Sequence, residues 1–380
     1  MLKKCEDNYF TTFSSPVVML DYHEQLERES KWHRCKVNTL QVEPLNESSP
    51  LYGNLSAFAS GISQDAVEDT AKNLGLAMRV DGECYPLRMT AYKSLLDRAK
   101  IGGTALPKLG RDVLAETLNA CLHLYSAEAL LLIRDEKIAA VHSGDPSDYS
   151  VLPINELLST LTRKLDERFP GAVFESGYTD HSCSSATWTL PGQKDDLLGA
   201  YAKVLKEQGK SAMAAKLMPG IRFMTSDTGV ASAKVSALLT GLQYPIHIGG
   251  CIAVDHRHQK KVNDFENALD QLFAQFGDSV AKLEKLLDIE LEYPVNAMTR
   301  ICKKLSLPKK AAVEAIAMFE MSYGGGSATA HNVFMALQEI PFILKSQNTP
   351  ESKMLVIEEN MARALTLKWI DYDLAKAVSY

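Results

Sequence analysis

Between residues 262 and 287 the apolar side chains Val262, Phe265, Leu269, Leu272, Phe273, Phe276, Val280, Leu283 and Leu287 recur at spacings of mostly three and four. That is the period of one helix face, so the segment predicts a long amphipathic helix that has to bury one side. Just before it lie GIRFMTSDTG, AKVSALLTGL and PIHIGGCIAV, short apolar and β-branched runs separated by turn residues, which read as strands. Strands leading into a long helix set the fold class as α+β.

Upstream, helices and strands alternate. MTAYKSLLDRAK, GRDVLAETLNACLHLY and PINELLSTLTRKLDERF carry helical spacing, AEALLLIRDEKIAAVHS predicts a strand hairpin turning at Asp135-Glu136, and CSSATWTLP predicts a strand. SQDAVEDTAKNLGLAM predicts a short helix capped by Ser63 or Asp65 and closed near Gly75. Beyond Pro294 nearly everything reads as helix, interrupted by SYGGGSAT and KSQNTPES. The expectation is therefore a mixed β-sheet core with long amphipathic helices and a helical C-terminal third. Its units are expected as a mixed N-terminal region over 1–80, an α+β core domain over 81–292, and a helical region over 293–380 packed on that core.

Composition narrows the class of function. With 46% apolar and 23% charged residues in 380, the chain has the make-up of an ordinary globular protein. A net charge of −6 argues against a protein coated in positive charge for nucleic acid, while leaving room for a local basic groove. Seven scattered cysteines, none in a C-x-x-C pair, read as free thiols in a reducing compartment. The N-terminal stretch lacks the apolar core of a secretory signal, and no run approaches the roughly 18 apolar residues of a membrane helix. The expected location is the cytoplasm.

Three stretches are locally basic. Arg257, His258, Lys260 and Lys261 gather at the first turn of the predicted long helix, where free N–H groups and the helix dipole favour an anion. YPLRMTAYKSLLDRAKIGGTALPKLGR carries Arg88, Lys93, Arg98, Lys100, Lys108 and Arg111 against one acid, with Tyr85 and Tyr92 interleaved, a pattern suited to single-stranded nucleic acid. MTRICKKLSLPKKAAVEAI carries Arg300, Lys303, Lys304, Lys309 and Lys310 before its first acid, Glu314. It has the outline of a helix-turn-helix, with Cys302 as the small residue, Ser306 in place of the usual turn glycine, and Val313 as a core contact of the second helix. Each stretch has a plain alternative, a solvated basic face or an ordinary helical hairpin.

Other motifs point to chemistry less directly. His256 and His258 sit two apart and continue the even-numbered strand face, so they could share a divalent metal. SYGGGSATAHN is a Gly-rich turn before a helix but lacks the Gly-Lys-Ser/Thr ending of a phosphate loop. SGDPSDY offers Asp145 and Asp148, and TDHSC offers Asp180, His181 and Cys183, without a spacing that fixes a reaction. Trp188 and Trp369 read as core residues.

Taken in order over roughly residues 84 to 367, several segments resemble the phage/plasmid-like proteins of unassigned function, a bacterial family encoded on phages, plasmids and integrative elements. YPLRMTAYKSLLDRAKIGGTALPKL opens the match. IAAVHSGDPSDYSVLPINELLSTL puts Ser143, Tyr149 and Glu156 on its pattern, and TSDTG over 225–229 resembles its Ser-x-x-Gly turn. GGCIAVDHRHQKK follows where the family has a cysteine-containing strand and a histidine opening a long helix. SATAHNVFMALQEI is similar to its late helix through Thr329 and Asn332. One departure is that Cys251 is followed by Ile-Ala-Val in place of Cys-x-Asn-Gly. The resemblance implies mobile-element biology and names no reaction.

Charge placement and that context together predict a non-catalytic single-stranded DNA-binding or annealing factor in replication or recombination. It is expected to need no cofactor and to oligomerise. The alternatives are a metal-dependent hydrolase or nuclease using His256 and His258, and a protein-binding factor acting on a host defence complex.

Overall fold

The chain enters through β1 (Phe10–Phe13) and α1 (Pro16–Glu29), then builds a first lobe from β2 (Lys31–Lys36), β3 (Gln41–Pro44), α2 (Gln64–Lys72), β4 (Leu76–Val80), β5 (Glu83–Pro86), α3 (Ala91–Ala99), α4 (Arg111–Leu122), β6 (Glu128–Arg134) and β7 (Lys137–Ser143). The computed structural model describes residues 3–242, 244–323 and 326–380, with the side chains of residues 250, 251 and 273 outside that description. Two tight hairpins organise this lobe. Asp81 and Gly82 (φ 49° and 90°) join β4 to β5, and Asp135 and Glu136 (φ 48° and 68°) join β6 to β7. Paired left-handed residues give a turn whose twist matches that of the strands it connects.

The strand orders β2-β6-β7 and β3-β4-β5 are linked by a parallel bridge between Leu87 and Ile138. Side chains alternate as strand geometry requires. Leu76, Met78 and Val80 turn toward α3 and α4, whereas Ala77 packs on the opposite face with Val67 of α2. Ser63 caps α2 by accepting from the Ala66 N–H.

The second lobe follows with α5 (Ile154–Arg168), β8 (Val173–Asp180), β9 (Ser184–Thr189), α6 (Lys194–Glu207), α7 (Ser211–Lys216), β10 (Met218–Thr225), β11 (Ala233–Thr240), β12 (Ile246–Val254), α8 (Val262–Leu269) and α9 (Leu272–Lys285). Its six-stranded antiparallel sheet runs β1-β8-β9-β10-β11-β12. Trp188, Ile221, Phe223, Val235 and Leu239 point from one face into the cluster formed with α5, α6, α8 and α9. The remaining elements are β13 (Glu290–Leu291), α10 (Pro294–Lys304), α11 (Lys309–Tyr323), β14 (Ala328–Thr329), α12 (Ala330–Leu337), α13 (Glu339–Ser346) and α14 (Glu351–Ala362). α14 lies on β12, where Glu358 and Glu359 pair with Arg222 and Lys234 of the other sheet face.

The α+β class and the helical C-terminal third are as expected, but three details differ. The predicted long helix is two helices, broken at Asp270-Gln271. α8 packs on α5 and α9 on α6 and β12, and the Asp270 carboxylate is held by Lys164 and Arg168 of α5. The expected unit boundaries also fall elsewhere. A cut at 80 would split the β4–β5 hairpin, and one at 292 would separate β13 from its partner β14. One apolar cluster spans Val37 to Val141, and another joins Phe13 to Trp369. Finally, β1 to β5, β8, β13 and β14 have no counterpart in the sequence reading, and Leu76 to Met78, expected at the end of the short helix, belong to β4. Among the described residues no helix is long and apolar enough to cross a membrane, and the six described cysteines are unpaired.

A candidate binding cleft between the lobes

A cleft of about 400 Å³ opens where the lobes meet, a size typical of small-ligand sites. α3 supplies one wall through Lys93, Asp97 and Arg98. The end of β7, the turn after β10 and the residues after β12 supply the rest.

Its floor is a stack of rings. His142, the next-to-last residue of β7, lies over Tyr149 with centroids 3.5 Å apart and planes 4° from parallel, and His256 continues the stack 5.7 Å beyond Tyr149. The main-chain oxygen of Asp227 holds this arrangement. It accepts from the Tyr149 hydroxyl at 2.9 Å and from His142 Nε2 at 2.7 Å. A carbonyl oxygen only accepts, so the His142 proton sits on Nε2 and Nδ1 is a bare acceptor. Burial holds the imidazole down at about 4, so it is neutral at pH 7. The Asp227 carboxylate stands 2.9 Å from Arg134 Nη2, close enough for Coulombic pairing, although Oδ2 makes no aligned hydrogen bond.

The loop after β7 explains why SGDPSDY and DHRH come together. Asp145 Oδ1 accepts from Ser147 N at 2.8 Å and Ser143 Oγ donates to Asp148 Oδ2 at 3.2 Å, folding the loop on itself. Its backbone then pairs with the segment after β12, through Ser150 N to His256 O at 2.9 Å, His258 N to Ser147 O at 2.9 Å and Gln259 N to Pro146 O at 3.0 Å. The turn TSDTG closes the third side. Ser226 and Thr228 hydroxyls both donate to Ser182 O, and Gly229 takes a left-handed φ of 76°.

Around the mouth stand six charged side chains, Lys93, Arg98 and Arg257 with Asp97, Asp148 and Asp255. Among the described residues none of the six belongs to an ion pair, and Arg98 Nε is buried without a hydrogen-bond partner. Of the six only Arg98 is half-buried and the other five are exposed to solvent, so Arg98 is the charge with most to gain from a bound anion.

The expected contact residues divide sharply. Lys93, Arg98 and Arg257, drawn from two separate basic stretches, meet on this one rim. His258 is exposed beside it. The helix tip itself is already satisfied by the chain. Lys260 pairs with Asp264 at 3.2 Å, and the Asp264 carboxylate also accepts the Lys261 N–H at 2.8 Å, which holds that carboxyl below the usual range. Arg88 is 1% exposed and faces Asp7 at 3.5 Å, so it serves the junction of the N-terminal segment with β5–β7 and is closed to a phosphate. Lys108 is exposed on a short turn outside the cleft lining.

Arg300 spends its guanidinium on the Lys376 carbonyl. Lys303, Lys304, Lys309 and Lys310 are exposed around the α10–α11 corner and do not line the cleft. Ser306 there has φ 52°, the left-handed value a glycine would take, whereas Val313 is 46% exposed and makes no core contact.

His256 and His258 do not share a face. The strand ends at Val254, His256 is buried with Nδ1 near Ser150 O, and His258 swings outward at φ 59°. Among the described residues no group of three or more His, Cys, Asp or Glu side chains is arranged to hold a metal ion. His181 points to Glu6 O, and burial pushes the Cys183 thiol up, so TDHSC forms no nucleophile–base pair. Residues 324 and 325 of the Gly-rich turn, and the Cys251 side chain, lie outside the described residues. Thr329 caps α12, while Asn332 accepts from Lys210 at 2.8 Å, and neither lines the cleft. Glu156 is exposed on α5.

The sequence reading missed His142, Asp227 and Gly229 as site residues. A histidine closing the buried strand KIAAVHS, and a turn whose aspartate had no assigned partner, were the available signals. The protein-family models gave no match to this chain, and the curated proteins and solved structures gave none either.

Proposed function

We propose that the cleft between the lobes binds single-stranded nucleic acid, with Lys93, Arg98 and Arg257 on phosphates and one base inside. The observation that carries this reading is the meeting on one rim, beside three carboxylates, of three cations that among the described residues have no ion-pair partner. Phosphate contacts supply most of the affinity in such complexes. A cleft of about 400 Å³ suits one splayed nucleotide and leaves no room for a duplex, whose bases are turned inward on each other. With the family resemblance, the reading is of a non-catalytic binding or annealing factor serving replication or recombination of a phage or plasmid. Oligomerisation would multiply individually weak sites.

Fluorescence anisotropy of a labelled single-stranded oligonucleotide across a salt series tests it. Micromolar or tighter binding that weakens steeply with salt is expected. A variant combining K93Q, R98Q and R257Q should lose at least tenfold in affinity, and its log–log salt slope should fall by about 2, given roughly 0.7 per phosphate contact on a single strand. An unchanged slope removes these residues from the interface.

A second reading, a protein-binding factor, has one observation in its favour. α11 turns Val313, Met318 and Met321 outward, at 46%, 42% and 86% exposure, and methionine-rich faces adapt readily to protein partners. A bound protein that protects α11 from hydrogen exchange, together with no oligonucleotide binding at low salt, would favour it.

A further inference from the structure

The floor of the cleft differs from its rim. His142 presents Nδ1 as an acceptor, because Nε2 is committed to the Asp227 carbonyl at 2.7 Å. Gly229 keeps that edge open. A β-carbon there would stand 3.5 Å from His142 Cε1 and 4.0 Å from Nδ1, across the space the glycine leaves empty. Two lining carboxylates, Asp148 and Asp255, each receive one hydroxyl donor and no cation among the described residues. Val230, 44% exposed, and Ala231 add an apolar wall against which a flat ring can lie. The floor therefore offers the His142 acceptor, and the two carboxylates add acceptors at the mouth beside the cations.

Resting on the single-strand reading, we infer that the cleft selects bases whose pairing edge carries an exocyclic amine at C4 or C6, cytosine and adenine, over uracil and thymine. An amine offers two N–H donors to His142 Nδ1 and the neighbouring carboxylates. The O4 carbonyl at the same position of uracil or thymine would face those acceptors with a lone pair. Carboxylates are known to accept from cytosine N4 in this way. The imidazole stays a neutral acceptor through the physiological range, since burial opposes its protonation.

Cytosine and uracil differ on the pairing edge in amine against O4 carbonyl and in bare N3 against N3–H, so oligo(dC) and oligo(dU) of equal length compare opposite donor patterns on rings of the same size. Anisotropy at one salt concentration should show oligo(dC) binding roughly tenfold tighter, the size of one well-made base contact. His142→Phe keeps a ring on Tyr149 but removes the acceptor, and should bring the ratio close to one without altering the salt slope. Equal affinity of wild-type protein for the two oligonucleotides overturns the base selection and leaves the phosphate-binding rim standing. Failure to bind either one overturns the single-strand reading itself. If the His142→Phe chain does not fold, the wild-type ratio alone decides.

Discussion

At the scale of single residues, the same burial that fixes the cleft floor makes the protein sensitive to acid. His23 and His142 are both held at about 4, mainly by desolvation, against an ordinary 6.5. The unfolded chain takes up these protons below about pH 6.5, whereas the folded chain refuses them until about pH 4. The stability contributed by the neutral rings is thus complete above pH 6.5 and is lost as pH falls toward 4. Each ring accounts for roughly 3 kcal/mol over that window. Urea midpoints measured from pH 7 to 4 should fall steadily, and the fall should be shallower in His142→Phe. A midpoint independent of pH across this range contradicts the assignment. The charge reading of the sequence was weakest at this scale, because a sequence shows that an arginine is present and not what it faces. Arg88 and Arg98 stand ten residues apart in one basic stretch, yet Arg88 is shut away with Asp7 while Arg98 opens on the cleft.

At the scale of elements, turn chemistry was legible where it is local. The Asp135-Glu136 hairpin and the Ser63 cap follow from neighbouring residues alone. The corner of α10 and α11 is of the same kind. Ser306 N and Leu307 N return to Lys303 O and Cys302 O, both at 3.0 Å, ending α10 with its last carbonyls satisfied around a left-handed residue. A serine there bears a steric cost that glycine avoids, about 1 kcal/mol. Ser306→Gly should raise the thermal midpoint slightly and Ser306→Val should lower it; the reverse order would contradict the geometry. The break at Asp270-Gln271 was not legible, because the apolar series runs through it without interruption. Both helices bury toward one core, and only their different neighbours, α5 for one and α6 for the other, require the change of course. Strands β1, β2 and β8 escaped for a related reason. Their half-exposed faces carry mixed side chains, and pairing partners distant in sequence specify them.

At the scale of the whole molecule, the N-terminal β1 and α1 belong to the second lobe, although the first lobe follows them in sequence. Such crossing defeats any division drawn along the chain. It also explains how SGDPSDY, TSDTG and DHRH, separate in sequence, come to surround one cleft. The three turns close the ends of β7, β10 and β12, and the lobes meet where those ends converge. The central claim is that this convergence, and not basic character in general, makes the interface. Two variants measured side by side test it most directly by their salt-dependent binding to a single-stranded oligonucleotide. One combines K93Q, R98Q and R257Q at the cleft, and the other combines K303Q, K304Q, K309Q and K310Q at the helical corner. The account predicts that the cleft variant loses affinity and about 2 units of salt slope while the corner variant stays close to wild type. Loss in the corner variant with none in the cleft variant would contradict it.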